Sequence, residues 1–318
     1  MAIHQSAFGL NLRGPLPLPG LPGSAAGLPE LDLEVVTRGE LEAAWSGPAT
    51  PGAWRGTLRD GAELTIRWGR QGDLLFGCGE EATFLLAPAA ERLLCAPSDP
   101  SPLSWQRVLL SRVLPVVAIA RGYEALHAAA VQTPVGVVAV VGASGAGKST
   151  LAAELVRRGH RLVGDDVLVV GRAGDRVVAY PSGAHLSLEP GAEEGLGVEV
   201  LGELGGKLWT VVEDAAAEPA PLAAVVLLER GEGPVEAQEL PVEAQELPPT
   251  PLALAPFMLG LPDEEGRDGE RFALYADLVE TGRLLRLRGS ASAPPAEFAE
   301  ALERAVGAAA MATAGEAR

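Results

Sequence analysis

Cysteine is nearly absent, with only Cys78 and Cys95 in 318 residues. Two cysteines make neither a disulfide framework nor a metal-binding spacing, so both read as small core residues. Basic residues are also scarce: 25 Lys and Arg stand against 42 Asp and Glu, a net charge of −17. That field repels a phosphate backbone and argues against a nucleic-acid partner. The most apolar region, Val113–Gly142, is broken by Arg121, Glu124, His127 and Pro134, short of the ~20 apolar residues a spanning helix requires. The first twenty residues carry scattered prolines and no apolar run, which is not the design of a secretory signal. These absences predict a cytoplasmic chain with no membrane partner. What is plentiful is glycine and proline, 39 and 26 residues, within 47% hydrophobic composition. The chain has the apolar content for full cores and the breakers for many turns.

From Leu31 to Leu94, short segments such as LDLEVV, ELTIRW and DLLFGC alternate apolar and polar positions between Gly, Pro and Asp. That pattern predicts hairpins in a small β-rich N-terminal domain, residues 1–105, led by a Pro/Gly-rich segment. Residues 106–318 form the expected second domain. It opens on an apolar helix, with Val108, Leu109, Arg112, Val113, Val116 and Val117 at helical spacing, that Pro115 must kink or divide. Then GVVAVVG (Gly136–Gly142) predicts a buried strand, STLAAELVRRG a helix closed by Gly159, and RLVGDDVLVV (Arg161–Val170) the next strand. RVVAY, KLWTVV and AAVVLLER predict further strands, and PPAEFAEALERAV a final helix. An identical repeat, VEAQELP at Val235–Pro241 and Val242–Pro248, is too short for a solenoid and reads as a duplication in a surface loop. The acidic run Asp263–Glu270 reads as a solvated loop.

Gly142, Ala143, Ser144, Gly145, Ala146, Gly147, Lys148 and Ser149 fit G-x-x-x-x-G-K-[ST] without a mismatch, and Thr150 follows. Strand before and helix after are the context a phosphate-binding loop needs. Its glycines let backbone N–H groups form an anion nest beside the helix N-terminus. Lys148 is expected to reach the β- and γ-phosphates of ATP, and Ser149 to ligate Mg²⁺. Asp165 and Asp166 end an extended run seventeen residues after Lys148. Neighbouring side chains on a strand point to opposite faces, so one acid can hold the metal while the other serves as general base. A solvated turn with two acids is the plainer reading. The apolar flanks speak against it, because a buried carboxylate pair needs cations beside it, and Lys148 and Mg²⁺ are the expected ones.

The segment GASGAGKSTLAAELVRRGHRLVGDDVLVV resembles the core of HPr kinase/phosphorylase and its relatives. That family pairs a GxSGxGKS loop with a helix ending in RGH and then RLVADD. Arg158, Gly159, His160, Arg161, Leu162, Val163, Asp165 and Asp166 match in type and spacing, with Gly164 in place of the usual small residue. His127-Ala128 falls where the family carries His-Gly or His-Ala, and the resemblance puts His127 near the phosphates and the acceptor. A His that only packs at a strand start is the alternative. No counterpart of the family's GRNxxxIIE segment is found; YPSGAHLSLEP and GGKLWTVV stand there instead. Those features look more like a diverged branch found with ribosomally made peptides, which includes lasso-peptide tailoring kinases. That resemblance implies Lys207 near the site; a surface cation is the alternative.

The expectation is an α/β protein: a P-loop kinase domain of HPr kinase / phosphoenolpyruvate-carboxykinase-like type with a small β-rich N-terminal domain. Its catalytic set is Asp166, Asp165, Lys148, His127 and Lys207, with Ser149 and Asp165 on the metal. Asp166 is the expected base and Asp165 the metal holder, with the exchanged roles left open. The expected partner is a peptide or small protein with a serine hydroxyl. A small-molecule kinase and a nucleotide-dependent binding switch are the rivals, and a homo-oligomer stays open.

Overall fold

A computed structural model of the chain describes residues 2–50, 53–57, 63–99, 102–240, 273–274, 276–278 and 283–316. Its first part contains β1 (Ile3–Ala7), β2 (Leu10–Gly14), β3 (Glu30–Val35), α1 (Arg38–Ala44), β4 (Trp54–Thr57), β5 (Glu63–Trp68), β6 (Leu74–Cys78), β7 (Ala82–Leu86) and β8 (Arg92–Pro97). These strands make one sheet in the order β1-β2-β3-β8-β7-β6-β5-β4. The hairpins expected from β4 through β7 are present as antiparallel neighbours. Two features differ from the expectation. The leading segment is itself a hairpin, β1 with β2, because Leu10 and Leu12 bury into the core. And β3 runs parallel to both neighbours. Cys78 and Cys95 are free and buried; burial pushes the Cys78 thiol up to about 12 and raises that of Cys95 as well.

The next segment is α2 (Pro102–Val108), a π-helical turn (Leu109–Val113) and α3 (Leu114–Ala120). The sequence predicts that Pro115 divides this helix, and the π-turn is how it does so. Pro115 sits in the first turn of α3, where a missing N–H is tolerated. The stretch Leu103–Ala120 is long and apolar enough to cross a bilayer by composition, yet 67% of it is buried inside the protein. Its Leu109, Val113, Leu114 and Val117 share one core with Phe76 and Phe84 of the first sheet and with Val167, Val169 and Tyr180 further on.

The second part adds β9 (Glu124–Leu126), β10 (Ala129–Thr133), β11 (Gly136–Val141), α4 (Lys148–Arg157), β12 (Arg161–Gly164), β13 (Leu168–Ala173), β14 (Arg176–Tyr180), β15 (His185–Leu188), β16 (Val198–Leu204), β17 (Lys207–Val212), β18 (Ala220–Gly231), β19 (Glu236–Glu239), β20 (Arg283–Ser290) and α5 (Pro295–Glu316). Strand β11 runs parallel to β18, and β18 to β20. Being covered on both faces, β11 is apolar at every position after Gly136. Val138 and Val140 face α4 and α5, whereas Val137, Ala139 and Val141 face the opposite core. Helix α5 presents Phe298 and Leu302 to the first of these cores, as its spacing predicts.

Two expectations fail here. The run Arg161–Val170 is two strands, not one: β12 pairs with β10 and β13 with β9 and β14. Between them Asp166 takes a left-handed conformation at φ 72°, a turn that Asp tolerates better than bulkier residues. The first VEAQELP copy is likewise no loop, since Glu236–Glu239 pairs antiparallel with β20. The second copy and the run Asp263–Glu270 lie outside the described residues.

A three-stranded sheet, β15-β17-β16, leans against the site and carries His185 stacked on Trp209 at 5.2 Å. Burial pushes this imidazole down to about 4, against a hydrogen bond to the Pro19 backbone and aided by Arg107. The unfolded chain takes up the proton near pH 6.5 and the folded chain only near 4. Stability is therefore full above pH 6.5 and lost as pH falls through that window, by up to about 3 kcal/mol. Urea denaturation at pH 7 and pH 5 should show this loss in the natural chain and a flatter dependence in His185→Gln. An identical slope in both would contradict it.

Candidate functional site

The loop from Gly142 to Gly147 joins the carboxyl end of β11 to the first turn of α4. Three of its residues need to be glycine. Gly142 has φ 151° and a Cβ there would lie 2.6 Å from the carbonyl oxygen of Leu228; Gly147 has φ 97° and would meet Arg230 at 2.5 Å. Gly145 has φ 82° with open space around it, so only its backbone conformation demands glycine. Lys148 is buried, and its Nζ donates to the carbonyls of Gly142 at 2.9 Å and Ala143 at 3.1 Å. From β18, Arg230 donates through Nε to the carbonyl of Ala146 at 2.8 Å and rests on the Phe298 ring at 4.2 Å. The C-terminal helix thus braces the loop from behind.

The acids diverge, though not for the reason expected. Because the chain turns at Asp166, the two carboxylates face different partners from a break between strands rather than from opposite faces of one strand. Asp165 Oδ1 accepts from Ser149 Oγ at 2.9 Å, and its Oδ2 from the backbone N–H of Ser187 at 3.0 Å. Burial raises the Asp165 carboxyl above its ordinary range, against those hydrogen bonds and with the neighbouring Asp166 charge adding to the rise. Asp166 is also desolvated, but hydrogen bonds and charge from His127 and Arg112 outweigh this and hold its carboxyl well below the usual range.

Arg112 is a cation beside Asp166, with Nη1 2.8 Å from Oδ2; the sequence points only to Lys148 and Mg²⁺ in this role. Arg112 also donates through Nη1 to the carbonyl of Ser111 at 2.9 Å. That carbonyl lies four residues before Pro115, which has no N–H to offer it. The proline that divides the helix therefore leaves an acceptor that helps hold the guanidinium over the site. His127, between β9 and β10, has Nδ1 2.8 Å from the Asp166 carbonyl oxygen and 3.3 Å from Oδ1. A carbonyl can only accept, so Nδ1 carries the proton.

These groups line one cavity of about 270 Å³. Gly145, Gly147, Lys148, Ser149 and Thr150 of the loop line it together with Asp165, Asp166, His127 and Arg112. Phe8, Arg107, Val108, His185 and Trp209 line it as well. Lys207 lines it too, with Nζ 3.3 Å from Glu189. So the structure brings Lys148, Ser149, Thr150, Asp165, Asp166, His127 and Lys207 together, while Ala143 and Ala146 shape the loop. Ser144 lies in the turn itself. Sequence reasoning missed Arg112, which it had placed on the apolar helix stripe, and Phe8, Arg107 and Trp209, which carry no motif. A charged residue on an apolar helix just before a proline was the one available signal.

Ser149 Oγ and the buried Asp165 carboxylate are hard oxygen donors of the kind that suits Mg²⁺. No cluster of three or more His, Cys, Asp or Glu able to hold a metal occurs among the described residues.

The glycine geometry orders two substitutions. Gly142→Ala drives a Cβ into a backbone carbonyl that cannot give, and should cost at least about 2 kcal/mol. Gly145→Ala pays only the backbone term, about 1 kcal/mol. Denaturant unfolding of the two variants checks the order; equal losses would contradict it.

Comparison with known proteins falls on this region. Residues 122–187 match the family model of the HPr Serine kinase C-terminal domain. The HPr kinase/phosphorylase of Chlorobium phaeobacteroides is 51% identical over 49 residues, 15% of this chain and 14% of that protein. That of Prosthecochloris aestuarii is 45% identical over 56 residues, 18% of this chain and 16% of that protein. The match thus spans about one seventh of the curated relatives' length. The Hpr(Ser) kinase/phosphatase structure from Coxiella burnetii aligns with 57% of this chain and 95% of that one, at 14% identity and a TM-score of 0.31. Over the stretch that carries the glycine loop, His127 and the acid pair, this chain is HPr-kinase-like in sequence.

Proposed function

We propose that the protein is an ATP-dependent kinase that moves the γ-phosphoryl group to a serine-type hydroxyl of a peptide or small protein, with a ribosomally made precursor peptide of the lasso class as the finer reading. In this reading the reaction runs in the cytoplasm. The observation that carries it is the hydrogen bond from Ser149 to Asp165 in the cavity that also holds Lys148, Asp166 and His127. A loop that only sequesters an anion has no use for two carboxylates across from it.

The loop N–H groups and the N-terminus of α4 receive the β- and γ-phosphates, and Lys148 leaves its carbonyl partners to neutralise them. Ser149 and Asp165 would hold Mg²⁺, which when bound supplies charge neutralisation between the phosphates. Asp166 takes the proton of the acceptor hydroxyl as its oxygen attacks the γ-phosphorus and ADP departs with the bridging oxygen. Arg112 and His127 fix the direction of Asp166, and Lys207 steadies charge on the far side of the phosphate. The exchanged roles of the two acids are the second reading, favoured by the tight ion pair that occupies Asp166.

Lys148→Ala should abolish transfer and weaken ATP binding, because phosphate charge is left uncompensated. Asn at the base position should leave ATP affinity near normal and cut transfer by roughly 10²–10⁴-fold, whereas Asn at the metal holder should also raise the Mg²⁺ requirement. Calorimetry with ATP beside peptide phosphorylation by mass spectrometry, across a Mg²⁺ series, separates the two. Full transfer in both Asn variants would sink the mechanism. In the same assay HPr should be a poor acceptor, since the GRNxxxIIE segment is missing; efficient HPr phosphorylation followed by phosphorolysis would overturn that.

A further inference from the structure

The β1–β2 hairpin ends in Phe8 and Gly9, both at positive φ, 57° and 76°. A two-residue turn of this hand favours Asn-Gly or Gly-Gly, and a bulky aromatic at its first position is an outlier that the surroundings must impose. The N–H of Phe8 donates to the carbonyl of Pro181 at 2.8 Å. Gly9 sits so close to the Tyr123 and Tyr180 rings that a Cβ would lie 3.1 Å from Tyr123. Phe8 itself is only 3% exposed, and it lines the same cavity as Asp166, His127 and Arg112. The hairpin of the first sheet is thereby driven into a site whose motifs all lie more than a hundred residues later.

The order of contacts says which side of the reaction this tip serves. Asp165 bonds to Ser149 of the glycine loop on one side and to Ser187 on the other, and Ser187 pairs with Trp209 across β15 and β17. Asp165 therefore stands between the loop and the strand pair β15–β17. Trp209 of that pair shares one apolar cluster with Phe8, Val108 and Leu110, carries His185 stacked on its ring and has Arg107 at 5.7 Å, and all of these line the cavity. Among the described residues no Asn or Gln lines the cavity; its polar lining outside the loop and the acid pair includes Ser111, Ser182, Ser187, Glu189 and Lys207.

We propose that Phe8 is a specificity-determining residue: the hairpin tip forms the acceptor-side wall, and it admits a hydroxyl flanked by apolar peptide side chains in preference to water or a small polyol. This rests on the kinase reading. It deepens that reading by making residues of the first sheet part of acceptor recognition.

The test uses the full chain, γ-labelled ATP with Mg²⁺, and three acceptors: a blocked tripeptide with serine between two leucines, glycerol, and water. The natural chain should prefer the tripeptide over glycerol by about tenfold or more in kcat/KM. In Phe8→Ala that preference should collapse by a similar factor and hydrolysis by water should rise, while calorimetric affinity for MgATP stays within about twofold. Phe8→Leu, which keeps apolar bulk, should fall between, and it decides on the same ratio if Phe8→Ala does not fold. Unchanged acceptor ratios in a folded variant would overturn this inference and leave the kinase standing. If the natural chain binds MgATP yet labels neither tripeptide nor glycerol, both fall together.

Discussion

The contact on which the site depends is the ion pair of Arg112 with Asp166. It ties three separate pieces of chain together: the π-turn after α2, the break between β12 and β13, and, through His127, the link between β9 and β10. Both side chains are largely withdrawn from water, 19% and 28% exposed, so deleting either partner leaves the other without its compensating charge. A charge in that setting must be partnered, so the helix, the turn and the histidine take up one mutual arrangement. The carboxylate that faces the cavity is thereby aimed before any ligand arrives.

The rest of the molecule serves that arrangement. Pro115 cannot donate to Ser111, and the guanidinium takes that carbonyl as a second anchor. Helix α5 reaches the site from the opposite side. Phe298 supports Arg230 under the loop, while Glu303 accepts from Arg158 and His160 at the far end of α4. Helix α4 is thus held at both ends by one C-terminal helix, and its N-terminus is aimed across the cavity at the acids. The first sheet contributes through the helix it packs against and through the hairpin tip at Phe8.

Much of this was legible in the residues. The β-branched run before Gly142, the glycine loop and the Leu151, Leu155, Val156 spacing predict strand, loop and helix where they are found, since each rests on local physics: burial period, positive φ and capping. The RGH segment after α4 and the Phe298, Leu302 stripe are of the same kind. What escaped was non-local. Nothing in RLVGDDVLVV announces a strand change, because a single residue in a left-handed conformation between two apolar runs looks the same as one continuous strand. Arg112 read as an interruption of an apolar face because its partner lies 54 residues away. The first VEAQELP copy read as a loop because its pairing partner β20 comes after a long intervening stretch. Phe8 had no local signal at all; its role follows only from where the first sheet docks.

In the proposed reaction nucleotide phosphates would rest on the loop from Gly142 to Thr150, and Ser149 and Asp165 would hold a divalent cation. Crystallography of the full chain with a non-hydrolysable ATP analogue and Mn²⁺ in place of Mg²⁺ tests this placement most directly. Anomalous density for Mn²⁺ at the Ser149 hydroxyl and the Asp165 carboxylate is expected, with the γ-phosphate of the analogue facing Asp166. Nucleotide bound outside the loop, or Mn²⁺ held elsewhere with Asp165 still bonded to Ser149, would contradict it.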